Sequence, residues 1–226
     1  MADRKHVDAV HAWFRNAHAI LTEHEAALGR LDAAAGDGDH GAGMVRGMRA
    51  AHAAVSAALQ NRDDGLAPGP LLMQGGSAFA DAAGGASGAL YGMLMMTIGQ
   101  KLGADIDMPT LQTALRAGMD AIGKLGKSQP GDKTMLDALA PFVDVFGQAN
   151  AASGILSAWR DALPAAQAGA DSTAHMIAKK GRSARLAERS LEHRDPGAVS
   201  MVLLLQAVEQ TLVEVHCGQS DKTKTW

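Results

Sequence analysis

Three carboxylates, Asp32, Asp37 and Asp39, stand within eight residues of one another in the run Leu31-Asp32-Ala33-Ala34-Ala35-Gly36-Asp37-Gly38-Asp39-His40-Gly41, where Arg30 is the only basic neighbour. Carboxylates this close repel one another unless a cation neutralises them. A hard divalent ion, which takes oxygen ligands, does this naturally. The interleaved glycines let the backbone bend tightly around such an ion. Metal held by aspartates beside glycine-rich backbone commonly serves phosphate groups. The plainer reading of the same residues is an aspartate-rich turn capping a helix.

Two familiar motifs fit the run badly. Gly36-x-Gly38-x-x-Gly41 matches the dinucleotide fingerprint in form, but that fingerprint follows a strand, and its pyrophosphate would meet Asp37 and Asp39. A calcium EF-hand places a glutamate where Met48 stands.

Three further loops share the glycine-rich character. Gly84-Gly85-Ala86-Ser87-Gly88 precedes a helical pattern, so its amides form an anion site that Ser87 can extend. Gly126-Lys127-Ser128-Gln129-Pro130-Gly131-Asp132-Lys133-Thr134-Met135 is the next. The last runs from Lys179-Lys180-Gly181-Arg182 to Asp195-Pro196-Gly197 and brings the positive charge a polyphosphate favours. Each has a plain counterpart as a helix-ending turn, and the basic residues there also suit a solvated helix end. A P-loop is excluded. Leu125 follows Gly123-Lys124 where Ser or Thr is required, and the frame ending Gly126-Lys127-Ser128 begins at Ala121. No Ser/His/Asp set is recognisable, so no catalytic side chain is assigned. His40 is placed to donate to a phosphate or to be a surface loop histidine.

The elements that position these loops read as helices. Apolar residues fall at helical spacing along nearly the whole chain. Val10, Phe14, Ala17, Leu21 and Leu28 mark a first helix; Met44, Met48, Ala51, Val55 and Leu59 a second. A third is expected from about Leu71 to Ala83. Leu90, Leu94 and Ile98 mark a fourth, and Leu111, Leu115 and Ile122 a fifth that Pro109 opens. Leu136, Leu139, Val143 and Phe146 mark a sixth. Ile155, Trp159, Leu163, Ala166, Ala170 and Ile177 mark a long seventh with Ser153 as its N-cap. Val202, Leu205, Val208, Leu212 and Val215 mark an eighth. Residues 1–218 are expected to form one helical domain, followed by a frayed polar tail over 219–226.

Composition agrees. Among 226 residues, 47% are hydrophobic and only 4% aromatic, a mix rich in Ala, Leu and Met that favours helix over sheet. A net charge of −3 argues against a nucleic-acid surface. Cys217 is the lone cysteine, read as a small apolar filler, so no disulfide framework exists and a cytoplasmic setting is expected. No signal peptide or membrane span is recognised.

Taken in order, Gly36-Asp37-Gly38-Asp39-His40-Gly41, Gly85-Ala86-Ser87-Gly88, Pro130-Gly131-Asp132-Lys133-Thr134-Met135, Ala178-Lys179-Lys180-Gly181-Arg182 and Asp195-Pro196-Gly197 resemble the L subunit of dihydroxyacetone kinase, a module also found as the nucleotide domain of single-chain dihydroxyacetone kinases. The resemblance covers nearly the whole chain. It implies an all-α fold, a closed barrel of eight helices with the nucleotide site in loops at one end. It implies two Mg²⁺ ions on Asp32, Asp37 and Asp39, binding the phosphates of ADP or ATP. It further implies that His40, Gly41, Ala42, Gly43, Ala86 and Ser87 contact phosphates and ribose, and that Gly126 and Met135 border the nucleotide. Arg182 would touch the nucleotide, and Asp195, Pro196 and Gly197 would close the site. The family often has a polar residue where Gly43 stands, which leaves a backbone contact there. The implied partners are a K subunit holding dihydroxyacetone and, in phosphotransferase-system versions, an M subunit carrying phosphohistidine, with a homodimer as a further association. The alternatives are an ATP-dependent kinase subunit for another ketose or acyl acceptor, and a regulatory module reading nucleotide state.

Overall fold

The computed structural model describes residues 4–60, 66–103, 106–180, 184 and 190–222. Helices account for nearly all of them: α1 (Arg4–Ala35), α2 (His40–Gln60), α3 (Pro68–Ala83), α4 (Gly85–Lys101), α5 (Met108–Gly126), α6 (Met135–Gly147), α7 (Ile155–Ser172) and α8 (Pro196–Lys222). No strand occurs among the described residues. The fold is all-α, as the apolar spacing and the resemblance both imply.

Each helix packs on the next, and α8 returns to pack on α1, so the eight close into a ring. The apolar stripes face inward. Phe14, Leu21 and Leu28 of α1, Met44, Met48 and Val55 of α2, and Phe79 of α3 are fully buried. Across the ring, Phe142, Phe146 and Trp159 form an edge-on aromatic cluster between α6 and α7. Burying one such side chain contributes roughly 1.5–3 kcal/mol, so this core is the main source of stability. The seam between α1 and α8 is pinned by polar contacts as well. Asn16 donates to Thr211 Oγ1 at 3.0 Å, Arg15 pairs with Glu214, and Trp13 Nε1 donates to the Leu204 carbonyl at 3.4 Å.

The structure corrects two details and adds two. Gly154, not Ser153, is the N-cap of α7; Ser153 lies in a short 3-10 turn (Ala151–Ser153), and α7 has no side-chain cap. Ile177 is not on α7, which stops at Ser172; Ile177 is 47% exposed in the following loop. The apolar spacing carried across this break because one residue in a loop can fall in helical phase by chance. Residues 219–222 continue α8, and residues 223–226 lie outside the described residues. Finally, Pro196–Cys217 is long and apolar enough to cross a membrane by length and composition, with mean hydropathy 1.5. Half of that window is buried inside the ring, where α8 packs against α1, α6 and α7.

Candidate functional site

Successive helices alternate in direction around the ring. One rim therefore collects the carboxyl ends of α1, α3 and α5 and the amino ends of α2, α4, α6 and α8. A cleft of about 360 Å³ opens on this rim. It is lined by Asp32, Asp37 and Asp39, by His40 and Gly43, by Gly84–Ser87, by Gly126 and Ser128, by Lys133–Leu136, by Lys180, and by Asp195–Gly197. Four helix amino ends aimed at one space give it a positive bias suited to anions.

Not all four ends are equally available. At α6, Thr134 and Asp137 form a capping box. Asp137 accepts from Thr134 N at 2.7 Å and from Gly131 N at 2.5 Å. At α8, Asp195 accepts from Ala198 N at 2.7 Å. At α2, the His40 amide donates to Asp32 at 3.2 Å. Only α4 among these four carries no side-chain cap in its described geometry. It is preceded by Gly84 and begins at Gly85, with φ of 69° and 60°. Side-chain-bearing residues rarely adopt such angles, so the paired glycines permit the chain to leave α3 and re-enter helix at once. Gly85, Ala86 and Ser87 thus line the cleft at a helix start that, among the described residues, no side chain caps.

Opposite this end stands the acidic cluster. One carboxylate oxygen from each of Asp32, Asp37 and Asp39 lies within 4.8 Å of the others. Asp32 comes from the last turns of α1 and the other two from the loop before α2. Gly36 makes room for the approach: a Cβ there would fall 2.4 Å from Asp32 Oδ1. Three hard oxygen donors at this spacing fit a hard divalent cation and offer nothing to a soft one.

Behind the cleft the polar groups are satisfied internally. The His40 ring is buried, with Nδ1 3.2 Å from Ser87 Oγ and Nε2 2.9 Å from Ser200 Oγ. Burial holds its pKa below the ordinary histidine value, against the pull of nearby Asp32. Tyr91 donates to the Gly197 carbonyl at 2.9 Å and lies 2.7 Å from Ser200 Oγ. Burial pushes the phenol well above its usual range. Lys133, with φ of 63°, turns its buried ammonium onto the carbonyls of Met176 (3.1 Å), His193 (2.8 Å) and Ser190. It thereby fastens the stretch leading to Asp195, and burial lowers its own pKa. Burial also raises the Asp195 carboxyl to about 7, helped by neighbouring Asp137 and opposed by Lys133.

Of the residues singled out from sequence, Asp32, Asp37, Asp39, His40, Gly43, Ala86, Ser87, Gly126, Met135, Asp195, Pro196 and Gly197 meet at this one cleft. Gly41 and Ala42 do not line it. Gly41 is buried against α1, where a Cβ would meet the Glu25 carbonyl at 2.1 Å, and Ala42 points to solvent. Arg182 lies outside the described residues. Lys179 is drawn away from the cleft, bonded to the Gly131 carbonyl at 3.0 Å and paired with Asp132 at 3.4 Å. Tyr91, Ser200 and Arg46 were not apparent as site residues. Ser200 is a lone hydroxyl in an apolar run and Tyr91 is the single tyrosine, and these were the available signals. Arg46 caps the carboxyl end of α3 through the carbonyls of Ala82 (2.7 Å) and Ala83 (2.9 Å).

Residues 34–210 match the DAK2 domain family. The chain is 42% identical over 191 residues to the D-erythrulose kinase of Mycolicibacterium smegmatis, covering 83% of this chain and 32% of that protein. It is 37% identical to the L-erythrulose kinase of Pectobacterium atrosepticum, covering 99% of this chain and 37% of that one. It thus spans about a third of the length of these relatives. With the ADP-binding subunit DhaL of the PEP-dependent dihydroxyacetone kinase 1 of Listeria innocua it shares 33% identity, over 89% of this chain and 94% of that subunit. Among solved structures, the native dihydroxyacetone kinase of C. freundii superposes with a TM-score of 0.65 at 27% identity, covering 93% of this chain and 35% of that one. The same enzyme in complex with AMP-PNP and Mg²⁺ gives a TM-score of 0.61 at 26% identity, over 93% and 34%.

Proposed function

This chain belongs to the DAK2 domain family as a DhaL-like domain, and on that premise we propose that it is the nucleotide-holding part of a dihydroxyacetone-kinase-like phosphotransferase. The observation that carries the reading is a pairing across one cleft: three converging carboxylates face a helix amino end with no side-chain cap. A cation-binding group opposite an anion-binding group is the arrangement a metal–polyphosphate complex requires.

In this reading Asp32, Asp37 and Asp39 hold two Mg²⁺ ions, and the α4 amides, Ser87 and the backbone at Gly43 hold the phosphates of ADP or ATP. Gly126 and Met135 border the nucleotide, Asp195, Pro196 and Gly197 close the cleft, and Arg182 is assigned to the nucleotide by resemblance alone. When bound, the metal would supply charge neutralisation on the phosphates and orientation of the transferred group. The carboxylates fix its place, the amides fix the oxygens, and the buried polar groups behind them exclude water from that wall. No side chain of this cleft is assigned as a base toward the acceptor. The acceptor, a ketose, is held by a K-type partner that supplies that group.

The likeness to the ADP-binding subunit of a PEP-dependent dihydroxyacetone kinase supports recharging of bound nucleotide by a phosphohistidine M subunit in the cytoplasm. A second reading, ATP-dependent transfer to a four-carbon ketose, is favoured by the higher identity to the erythrulose kinases.

Two experiments test this. A ligand that binds only the folded state stabilises it by about 2.7 kcal/mol at a hundredfold excess over its dissociation constant. Mg²⁺ and ADP together are expected to raise the melting temperature well beyond either alone, and equal stabilisation by ADP in EDTA would overturn the metal-first site. The isolated chain with ATP and Mg²⁺ is expected not to phosphorylate dihydroxyacetone or erythrulose, whereas adding a K-type partner restores transfer and identifies the acceptor.

A further inference from the structure

Four side chains from three helices form a continuous hydrogen-bonded line that begins at the cleft and ends inside the barrel. Ser87 Oγ lies 3.2 Å from His40 Nδ1, His40 Nε2 lies 2.9 Å from Ser200 Oγ, and Ser200 Oγ lies 2.7 Å from the Tyr91 hydroxyl. The Gly197 carbonyl ends the line, 2.9 Å from the Tyr91 hydroxyl and 3.1 Å from Ser200 Oγ. Tyr91, Ser200 and His40 are 1%, 0% and 8% exposed, so water does not supply or take hydrogen bonds along the inner part. Ser87 is the most open of the four; His40 and Tyr91 also border the cleft, and Ser200 does not.

Each hydroxyl has one proton, and a neutral imidazole has one N–H and one bare nitrogen. The line therefore has two directions. Inward, Ser87 donates to His40 Nδ1, His40 Nε2–H to Ser200, Ser200 to Tyr91, and Tyr91 to the Gly197 carbonyl, which makes four bonds. Outward, Tyr91 donates to Ser200, Ser200 to His40 Nε2, and His40 Nδ1–H to Ser87, which makes three bonds and leaves the Ser87 proton aimed into the cleft. With no anion present the inward arrangement has one bond more. With a phosphate oxygen against Ser87, the inward arrangement sets lone pair against lone pair. The outward one gains a fourth bond of the charge-assisted kind, about twice as strong as a neutral one.

We propose that His40 is a positioning residue whose tautomer sets Ser87: an acceptor-facing Ser87 with Nε2–H in the free protein, and a phosphate-donating Ser87 with Nδ1–H when Mg·ADP is bound. This rests on the reading that nucleotide phosphate lies at the start of α4. Both arrangements hold the same four protons; on exchange the imidazole takes one proton from water and returns one to it. The consequence is a preference at this point for a fully ionised oxygen over a neutral one, set from behind by Ser200 and Tyr91, of which Ser200 does not line the cleft.

The test is nitrogen NMR on the full chain labelled at histidine, with His40 assigned by comparison with His40→Gln, free and with Mg·ADP, calorimetry being run on the same samples. The expected result is Nε2–H in the free protein and Nδ1–H in the complex. Binding without a change of tautomer overturns the relay alone, whereas absence of binding overturns the nucleotide reading and the relay with it. Ser200→Ala supplies a second measurement. It removes the hydroxyl that donates to a bare Nε2, so the outward tautomer loses the bond that supports it. Mg·ADP should then bind about tenfold more weakly, and Ser87→Ala added to it should weaken binding no further. Independent, additive losses overturn the relay. The labelled parent protein decides the matter should that variant not fold.

Discussion

Two loops on the same rim have almost the same composition and opposite roles. The loop before α2 is Gly36-Asp37-Gly38-Asp39, and the loop before α6 is Gly131-Asp132-Lys133-Thr134 followed by Asp137. In the second, the carboxylates turn inward. Asp132 and Asp137 are each 6% exposed, and they accept from the amides of Gln129, Gly131 and Thr134. In the first, Asp37 and Asp39 are exposed and converge with Asp32 on the cleft. The two loops differ in where their carboxylates converge: on the backbone amides of their own loop, or on one another beside the cleft. Helix α6 begins with amides that Asp137 caps, so that charge is spent on the fold. The aspartates before α2 gather around a common point, which stores repulsion that a cation relieves.

The largest effect should come from breaking the inward-facing loop. Lys133→Met removes the donor to three carbonyls, of which the Ser190 contact is buried and the other two partly so. A loss of about 3 kcal/mol or more is expected in denaturant unfolding, since removing a buried charged partner exposes the full desolvation cost. A loss under about 1 kcal/mol would show that the stretch before Asp195 holds itself.

The same chemical change applied to both loops sharpens the contrast. Asp37→Asn should weaken Mg·ADP binding about a hundredfold, roughly 2.7 kcal/mol, while the free protein melts at or slightly above the parent temperature. Asp137→Asn should lower stability by about 2 kcal/mol, because an amide NH₂ would face a backbone N–H, and should leave affinity of the folded fraction near the parent value. Paired melting curves and calorimetric titrations separate the two. Equal behaviour of the two variants would dissolve the distinction between the loops.

A further effect concerns pH. Asp195 titrates near 3.8 when unfolded and at about 7 when folded. Below 3.8 both states are protonated and there is no penalty. From there to about 7 the unfolded state ionises first, so this group makes stability fall as pH rises, and the penalty is complete above about 7. Asp195→Asn keeps an oxygen for the Ala198 amide. The melting temperature of this variant relative to the parent should therefore rise between pH 4 and 7 and then level off. A flat difference would mean that the carboxyl ionises normally.

Much of this was legible in the chain itself. The inward stripes are read correctly from Phe14 to Leu205 because helical periodicity is a local property. The acidic loop is legible because repulsion among close carboxylates is a local property too. What was not legible depends on which surfaces meet. Nothing near Ser200 in sequence indicates that His40, 160 residues earlier, lies against it. Gly41 sits in a motif but serves the contact of α2 with α1, since its distance to Glu25 is set by the crossing of two helices. Ile177 continued a pattern past the true end of α7 because a single loop residue can fall in helical phase by chance.

The even number of helices in the ring has a consequence for attachment. Because α1 and α8 run antiparallel along their shared seam, the start of α1 and the end of α8 both sit on the rim away from the cleft. At 1.5 Å per residue, the 32 residues of α1 place its start about 48 Å from its end at the cleft. Any tag, tether or neighbouring module joined at either end is therefore anchored on the far side. To reach the cleft it must travel the height of the barrel, some fourteen extended residues or more. Surface immobilisation through either end would accordingly present the cleft outward, fully accessible to a partner in solution.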